Sequence, residues 1–316
     1  MMISSRAPVR IDFAGAWTDV PDFSDAFGGA TLNAAIGLYV TGQLETHEGE
    51  QTDLFNGAKV VSGPSGKYAA EGAQALGVSY GSEIPTGSGL GMSATLNVVW
   101  LAMARREPIE TVQDKMHIAE LAYDIEKTLG IIGGKQDQYA SAVGGINLFE
   151  FGDTVTRQPI ELAEAHMREL ESLIILCYTG KARLSSNIHK SVWGNFRAGR
   201  EETLRALFSL RDSAYAAKQA LEEWDLEAFS RIVTNQRHYM KHLDASTSNE
   251  QIDELFELAA PDMMGGKPSG AGGGGCLFFI AKSQKTKERI REKLASHGLK
   301  GHDVTFDMEG LVIELK

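Results

Sequence analysis

A chain of 316 residues with 43% hydrophobic and 23% charged content has apolar material for one large domain or two of ordinary size. Its formal charge of -11 excludes nonspecific binding to nucleic acid or anionic membrane, which needs a positive field, although glycine backbone, a helix end and a metal can still hold an anionic nucleotide. Cys177 and Cys276, the only cysteines, exclude a disulfide framework and fit a reducing cytosol.

The opening MMISSRAPVRIDF has no apolar signal core, and no run reaches the roughly 18 apolar residues of a membrane span, so a cytoplasmic protein is expected. Alternation over Val9–Phe13 predicts a strand, which leads into a loop, AGAWTDVPDFSDAFGG. ATLNAAIGLYVTGQLET predicts further β structure, and the alanine-rich segment from Lys67 to Leu76 predicts a helix. PTGSGLGMSAT, from Pro85 to Thr95, then runs into the helix-forming LNVVWLAMA. A longer helix is predicted over Ile109 to Lys127, a glycine break at Gly130, Gly133 and Gly134, and a short helix over Gln136 to Val143. GINLFEF and SLIILCYTG read as strands, and the charged stretch between them, Leu162 to Ser172, places a domain boundary that divides the chain into 1–165 and 166–316. Two long helical patterns fill Gly199 to His242, with Leu204, Leu207, Phe208 and Leu210 on one side. The remainder predicts a helix, the loop KPSGAGGGG, strand CLFFIA, helix TKERIREKLASHG and strands DVTFDM and LVIEL, a small α+β sandwich.

Three segments carry chemistry. A glycine-rich loop before a helix lets backbone N–H groups converge on a phosphate chain, and the helix end adds its dipole. Pro85, Gly87, Ser88, Gly89, Leu90, Gly91, Met92 and Ser93 are therefore candidates for ATP binding. Ser93, where loop becomes helix, either caps that helix or turns its hydroxyl to the phosphates or a metal. Glu126 leaves a helix before the GIIGG bend, as a solvated carboxylate or as an oxygen ligand for Mg²⁺. Asp137 opens a helix whose end favours its charge, so it is either an ordinary N-terminal carboxylate or a base for an attacking hydroxyl. Arg10, flanked by Val9 and Ile11, must pair with a carboxylate or reach a charged site, because an unpaired buried guanidinium is costly. Lys267 either assists at the phosphates or lies on the surface. GAGGGG satisfies G-x-G-x-x-G at Gly270, Gly272 and Gly275, but a strand follows it, which excludes a dinucleotide fold; no G-x-x-x-x-G-K-[ST] is present.

Taken in order, RAPVRIDFAGAWTD, PTGSGLGMSAT and KPSGAGGGG resemble the three motifs of the GHMP kinases, a family named for galactokinase, homoserine kinase, mevalonate kinase and phosphomevalonate kinase. The resemblance implies an α+β, two-domain fold: an N-terminal domain like domain 2 of ribosomal protein S5, a ferredoxin-like C-terminal domain, and ATP and acceptor between them. It implies Asp137 as base, Arg10 as charge stabiliser, and Ser93 and Glu126 as Mg²⁺ ligands. It further implies that Asp19, with Thr18, Trp17, Gly134, Gly180 and Arg183, binds the acceptor, and that Gly270, Ala271, Gly272 and Gly273 shape the site near the phosphates. FAGAWTDVPDF, FGGATLNAAI, GGKQDQYAS and YTGKARLSSNIHK resemble most the sugar kinases acting on heptose 7-phosphate and on fucose. The expected activity is phosphorylation of an anomeric hydroxyl, with D-glycero-D-manno-heptose 7-phosphate ahead of a neutral sugar. A non-catalytic sugar and ATP sensor, and a kinase of an alcohol such as mevalonate, are the competing readings.

Two departures matter. Met92 stands where the family usually has Ser, and Ala16 and Trp17 replace the Glu-His pair of galactokinase, which disfavours galactose. Lys181, Arg183, Lys190 and Arg197 are the cations available for a distal sugar phosphate, or else form a solvated basic face. A homodimer stays open.

Overall fold

Residues 2–45, 60–62, 67–70, 77–83, 85, 87–181 and 185–315 are described by the computed structural model. The alternating start of the chain extends the predicted strand in both directions, giving β1 (Met2–Ala14). After the short helix α1 (Pro21–Phe27), inside the segment expected as loop, the long β2 (Gly29–Glu45) pairs antiparallel with β1. Strands β3 (Val60–Ser62), β4 (Lys67–Ala70) and β5 (Gly77–Ser82) follow, β5 pairing with the second half of β2. Residues 67–70 are thus strand, not the predicted helix, and residues 71–76 of that prediction lie outside the described residues. Alanine's helix preference amounts to tenths of a kcal/mol per residue, and the ladder from Lys67 and Tyr68 to Ser79 and Val78 overrides it.

The next three helices lie close to prediction: α2 (Met92–Arg105), α3 (Val112–Thr128) and α4 (Gln136–Val143). A capping box, Thr111 with Asp114, starts α3. Strand β6 (Ile146–Phe151) pairs with the first half of β2 and with β7 (Thr156–Pro159), completing an eight-stranded sheet. The charged stretch forms a helix, α5 (Glu164–Leu173), which runs directly into β8 (Ile174–Tyr178). Helix α6 (Ser185–Arg197) was not predicted; α7 (Glu201–Glu222) and α8 (Leu226–Leu243) were. Then come α9 (Glu250–Ala259), the unpredicted β9 (Met263–Pro268), β10 (Cys276–Ala281), α10 (Gln284–Ser296) and β11 (Gly301–Asp303). Most of DVTFDM is not strand: beyond Asp303 its one ladder contact is an isolated bridge from Phe306 to Ile36. The last strand, β12 (Val312–Leu315), pairs with β1 and so returns to the first sheet.

The second sheet has the order β11-β8-β10-β9. Period-two alternation gives it two apolar faces. Ile174 and Leu176 of β8, with Phe278 and Ile280 of β10, join the main core shared with β1, β2, α2 and α7. Their neighbours Ile175, Cys177, Leu277 and Phe279 pack instead under α9 and α10. A smaller cluster of Trp17, Phe23, Val192, Trp193 and Leu207 joins α1, α6 and α7 beside the crevice described next. No helix among the described residues is long and apolar enough to cross a membrane.

Candidate active site

The site grows from β1. Arg10 and Asp12 are two residues apart on that strand, so both side chains leave the same face, and both are buried. The Arg10 N–H donates to Leu90 O at 3.2 Å, which seats the glycine loop against the strand. Gly87, Gly89 and Gly91 take φ of 78°, 76° and 80°, the left-handed region that a side chain resists, and no side chain caps α2, which begins at Met92. Its first-turn N–H groups are left for an anion.

Asp137 arrives from the first turn of α4. Arg10 holds it through Nε at 2.7 Å and Nη2 at 2.5 Å, and Arg10 Nη1 donates to Gly89 O at 2.7 Å and Ser269 Oγ at 3.3 Å. One guanidinium thereby ties together the α4 carboxylate, the first glycine loop and the last. Burial opposes the Arg10 cation, but Asp137 and Asp12 outweigh it and push its pKa up.

Glu126, at the end of α3, is buried and accepts from Asn97 Nδ2 at 3.0 Å and Gln138 Nε2 at 2.8 Å. Burial, then the negative charge of Asp137, pushes its pKa up to about 7. Asp19, also buried, accepts from the Gln136 N–H at 3.0 Å and Gln136 Nε2 at 3.3 Å, and burial above all raises it to about 6. Gly134 is required for that approach, since a Cβ there would lie 1.8 Å from Asp19 Oδ2.

These groups line one crevice of about 290 Å³. Of the residues singled out from sequence, Arg10, Trp17, Asp19, Gly87, Ser88, Gly89, Gly91, Met92, Ser93, Glu126, Gly134, Asp137, Gly270 and Ala271 stand on its wall. Others do not. Leu90 is a core residue, Thr18 is buried with its hydroxyl bonded to Gly15 O and Ala30 O, and Gly272 and Gly273 lie behind the wall, Gly273 N donating to Thr247 O. Pro85 and Gly180 are exposed away from the crevice, and Arg183 lies outside the described residues. Lys181 and Lys190 are exposed off the wall, and Arg197 pairs with Asp22 at 2.6 Å. Lys267 is not a surface residue: it is fully buried and paired with Asp12.

Sequence reasoning missed Gln136, Gln138, Ile131, Ile132 and His189 on the wall. The two glutamines flank Asp137, and on one helical turn positions 136 to 138 fan out toward Asp19, Arg10 and Glu126 respectively. His189 stacks on Trp17 with centroids 4.5 Å apart, its Nδ1 accepts from Trp193 Nε1 at 3.3 Å, and burial lowers its pKa to about 4, so it is neutral. The apolar spacing Ile188, Val192, Trp193, Phe196 is the signal that marks α6 and its position.

The donor set fits Mg²⁺. Glu126 faces the crevice with two amide donors and a like charge nearby but, among the described residues, no cation, and Ser93 lies exposed on the same wall. Among the described residues no three His, Cys, Asp or Glu side chains form a metal cage of their own. Mg²⁺ held by one carboxylate, phosphates and water needs none.

The family model for the GHMP kinases N terminal domain matches residues 58–145, and that for GHMP kinases C terminal matches residues 217–300. The D-glycero-alpha-D-manno-heptose 7-phosphate kinase of Campylobacter jejuni is 30% identical, covering 98% of each chain. The L-fucokinase/L-fucose-1-P guanylyltransferase of Bacteroides fragilis is 27% identical over 94% of this chain and 36% of its own, so the chain spans about a third of that relative. A crystal structure of a D-glycero-D-manno-heptose 1-phosphate kinase from Bacteroides thetaiotaomicron superposes with a TM-score of 0.73 at 25% identity, covering 99% of each chain. A two-sheet α+β frame that superposes on a sugar kinase, with both GHMP kinase models matched in order, defines an ATP-dependent sugar kinase. The chain belongs to the GHMP kinases.

Proposed function

We propose that the chain transfers the γ-phosphoryl group of ATP to the anomeric hydroxyl of D-glycero-D-manno-heptose 7-phosphate. The observation that carries this is Arg10, which joins Asp137 to both glycine loops inside one crevice. The triphosphate lies along Gly87–Ser93, with donors from the loop and the α2 end. Arg10 occupies Asp137 Oδ1, leaving Oδ2 to accept the sugar hydroxyl's proton as that oxygen attacks phosphorus. The guanidinium also faces the charge spreading over the transferring group. Asp19, fixed by Gln136, orients acceptor hydroxyls beside Trp17. Ser93 and Glu126 hold Mg²⁺, which supplies charge neutralisation at the phosphates. The division into domains 1–165 and 166–316, with β12 returning to the N-terminal sheet, and a cytoplasmic location belong to this reading.

A neutral sugar such as fucose is the second reading, and one observation favours it. Among the described residues on the crevice wall, Arg10 is the one ammonium or guanidinium, and Asp137 already engages it. An ADP-release assay with Mg·ATP and a panel of sugars and sugar phosphates, with phosphorus NMR to locate the new ester, decides between them. Turnover of the heptose phosphate to a 1-phosphate ester is expected. Strong turnover of fucose with none of the heptose phosphate reverses the order, and no turnover of any sugar refutes the kinase reading.

A further inference from the structure

Lys267 and Asp12 are both fully buried and joined as an ion pair, with Lys267 Nζ also donating to the Asp12 carbonyl at 3.0 Å. Replacing such a pair by apolar residues is often neutral or stabilising, so stability alone does not account for it. Its surroundings do. Asp12 Oδ1 accepts from Ser269 Oγ at 3.1 Å and from the Gly270 N–H at 2.7 Å, and stands 3.8 Å from Arg10 Nη1. Ser269 Oγ, donating to Asp12, accepts in turn from Arg10. Asp12 belongs to β1 in the first sheet and Lys267 to β9 in the second, so the pair bridges the two sheets beneath the crevice. The two glycine loops also touch without slack: a Cβ on Gly270 would lie 2.7 Å from Gly89 O, and one on Gly89 the same distance from Ser269 O.

We infer that Asp12 and Lys267 are positioning residues that lock the 269–270 segment, the Gly89 loop and the Arg10–Asp137 couple into one register across the two sheets. The ammonium does not reach the nucleotide; it fixes the carboxylate that fixes the loop. Loss of the pair therefore degrades the transfer step more than ATP capture. In that respect the inference rests on the kinase reading.

Two variants and two readouts test it. Asp12→Asn/Lys267→Met removes both charges together, avoiding a lone buried one, and Ser269→Ala removes only the hydroxyl bridge from Asp12 to Arg10, leaving their direct 3.8 Å approach. The double variant is expected to keep a thermal midpoint near wild type while kcat falls at least about tenfold and the KM for ATP stays within about threefold. Ser269→Ala is expected to lower kcat by about fivefold with the same split. In arginine-labelled protein, the Arg10 Nε–H resonance, assigned by its loss in Arg10→Lys, is expected to be protected from solvent in wild type and to shift and exchange faster in both variants. A double variant that folds and keeps wild-type kcat overturns the proposal. If that variant does not fold, Ser269→Ala decides: wild-type kcat with an unmoved Arg10 signal overturns it. Should wild type turn over no sugar, the kinase reading fails, and the Arg10 spectrum alone judges the pair.

Discussion

The two glycine-rich loops share a composition but face different things. In the first, Gly91 sits where a Cβ would come within 3.0 Å of the Asp137 carboxylate, and an uncapped helix follows. In the second, Gly272 and Gly275 sit where a Cβ would meet backbone, Thr247 O at 2.4 Å and Ser88 O at 2.5 Å, and a strand follows. Its amides are engaged internally: Gly270 N by Asp12, Gly273 N by Thr247 O and Gly275 N by Lys181 O. At Gly91 the missing side chain leaves room for a carboxylate; at Gly272 and Gly275 it lets backbone segments close on each other. Glycine content alone does not separate these demands; the element that follows the run does.

The largest effect tests the carboxylate that the first loop makes room for. Asp137→Asn should cut kcat by about a thousandfold or more, roughly 4 kcal/mol of barrier, with ATP affinity within about threefold by calorimetry. An unaltered rate would clear Asp137 of the proposed role. Gly91→Ala should come next. Its methyl strains a φ of 80° and presses on Asp137, so steady-state assays should show kcat lowered by about ten- to a hundredfold. Gly272→Ala breaks the comparison if it behaves the same way. Its methyl meets backbone away from the crevice, so denaturant melts should show a loss of about 2–3 kcal/mol, with less kcat lost per folded molecule than in Gly91→Ala.

The remaining effect is a pH slope. Burial raises Asp19 to about 6 from its ordinary 3.8. An acid raised on folding binds more protons in the folded state, so its stabilisation is full below about pH 4 and is lost as pH climbs to about 6. The swing is about 3 kcal/mol. Thermal melts without nucleotide should show Asp19→Asn gaining on wild type between pH 4 and 7. A difference that does not change with pH would show that Asp19 ionises there without penalty.

Much of this was legible because the motifs are local. PTGSGLGMSAT states its own loop and helix, and Gln136–Val143 was read to the residue. The errors have physical causes. The loop expected from Lys267 begins two residues later, because Met263–Pro268 pairs with β10 as β9, with Gly265 where α8 packs so closely that a Cβ would lie 2.1 Å from Ser230 O. The sequence leaves Lys267 between a role at the phosphates and a place on the surface, because its partner Asp12 lies 255 residues away and only the folded sheets bring them together. Gln136 and Gln138 carry no signal of their own, since an amide matters here only for the carboxylate it meets. His189 was missed because α6 was, although the apolar spacing was there to read.

The account stands most directly on a crystal structure with Mg²⁺ and a non-hydrolysable ATP analogue. The expected result is a triphosphate along residues 87–93, the metal between Ser93 and Glu126, and the terminal phosphorus beside Arg10 and Asp137. A nucleotide bound elsewhere, or a metal that leaves Glu126 untouched, would contradict it.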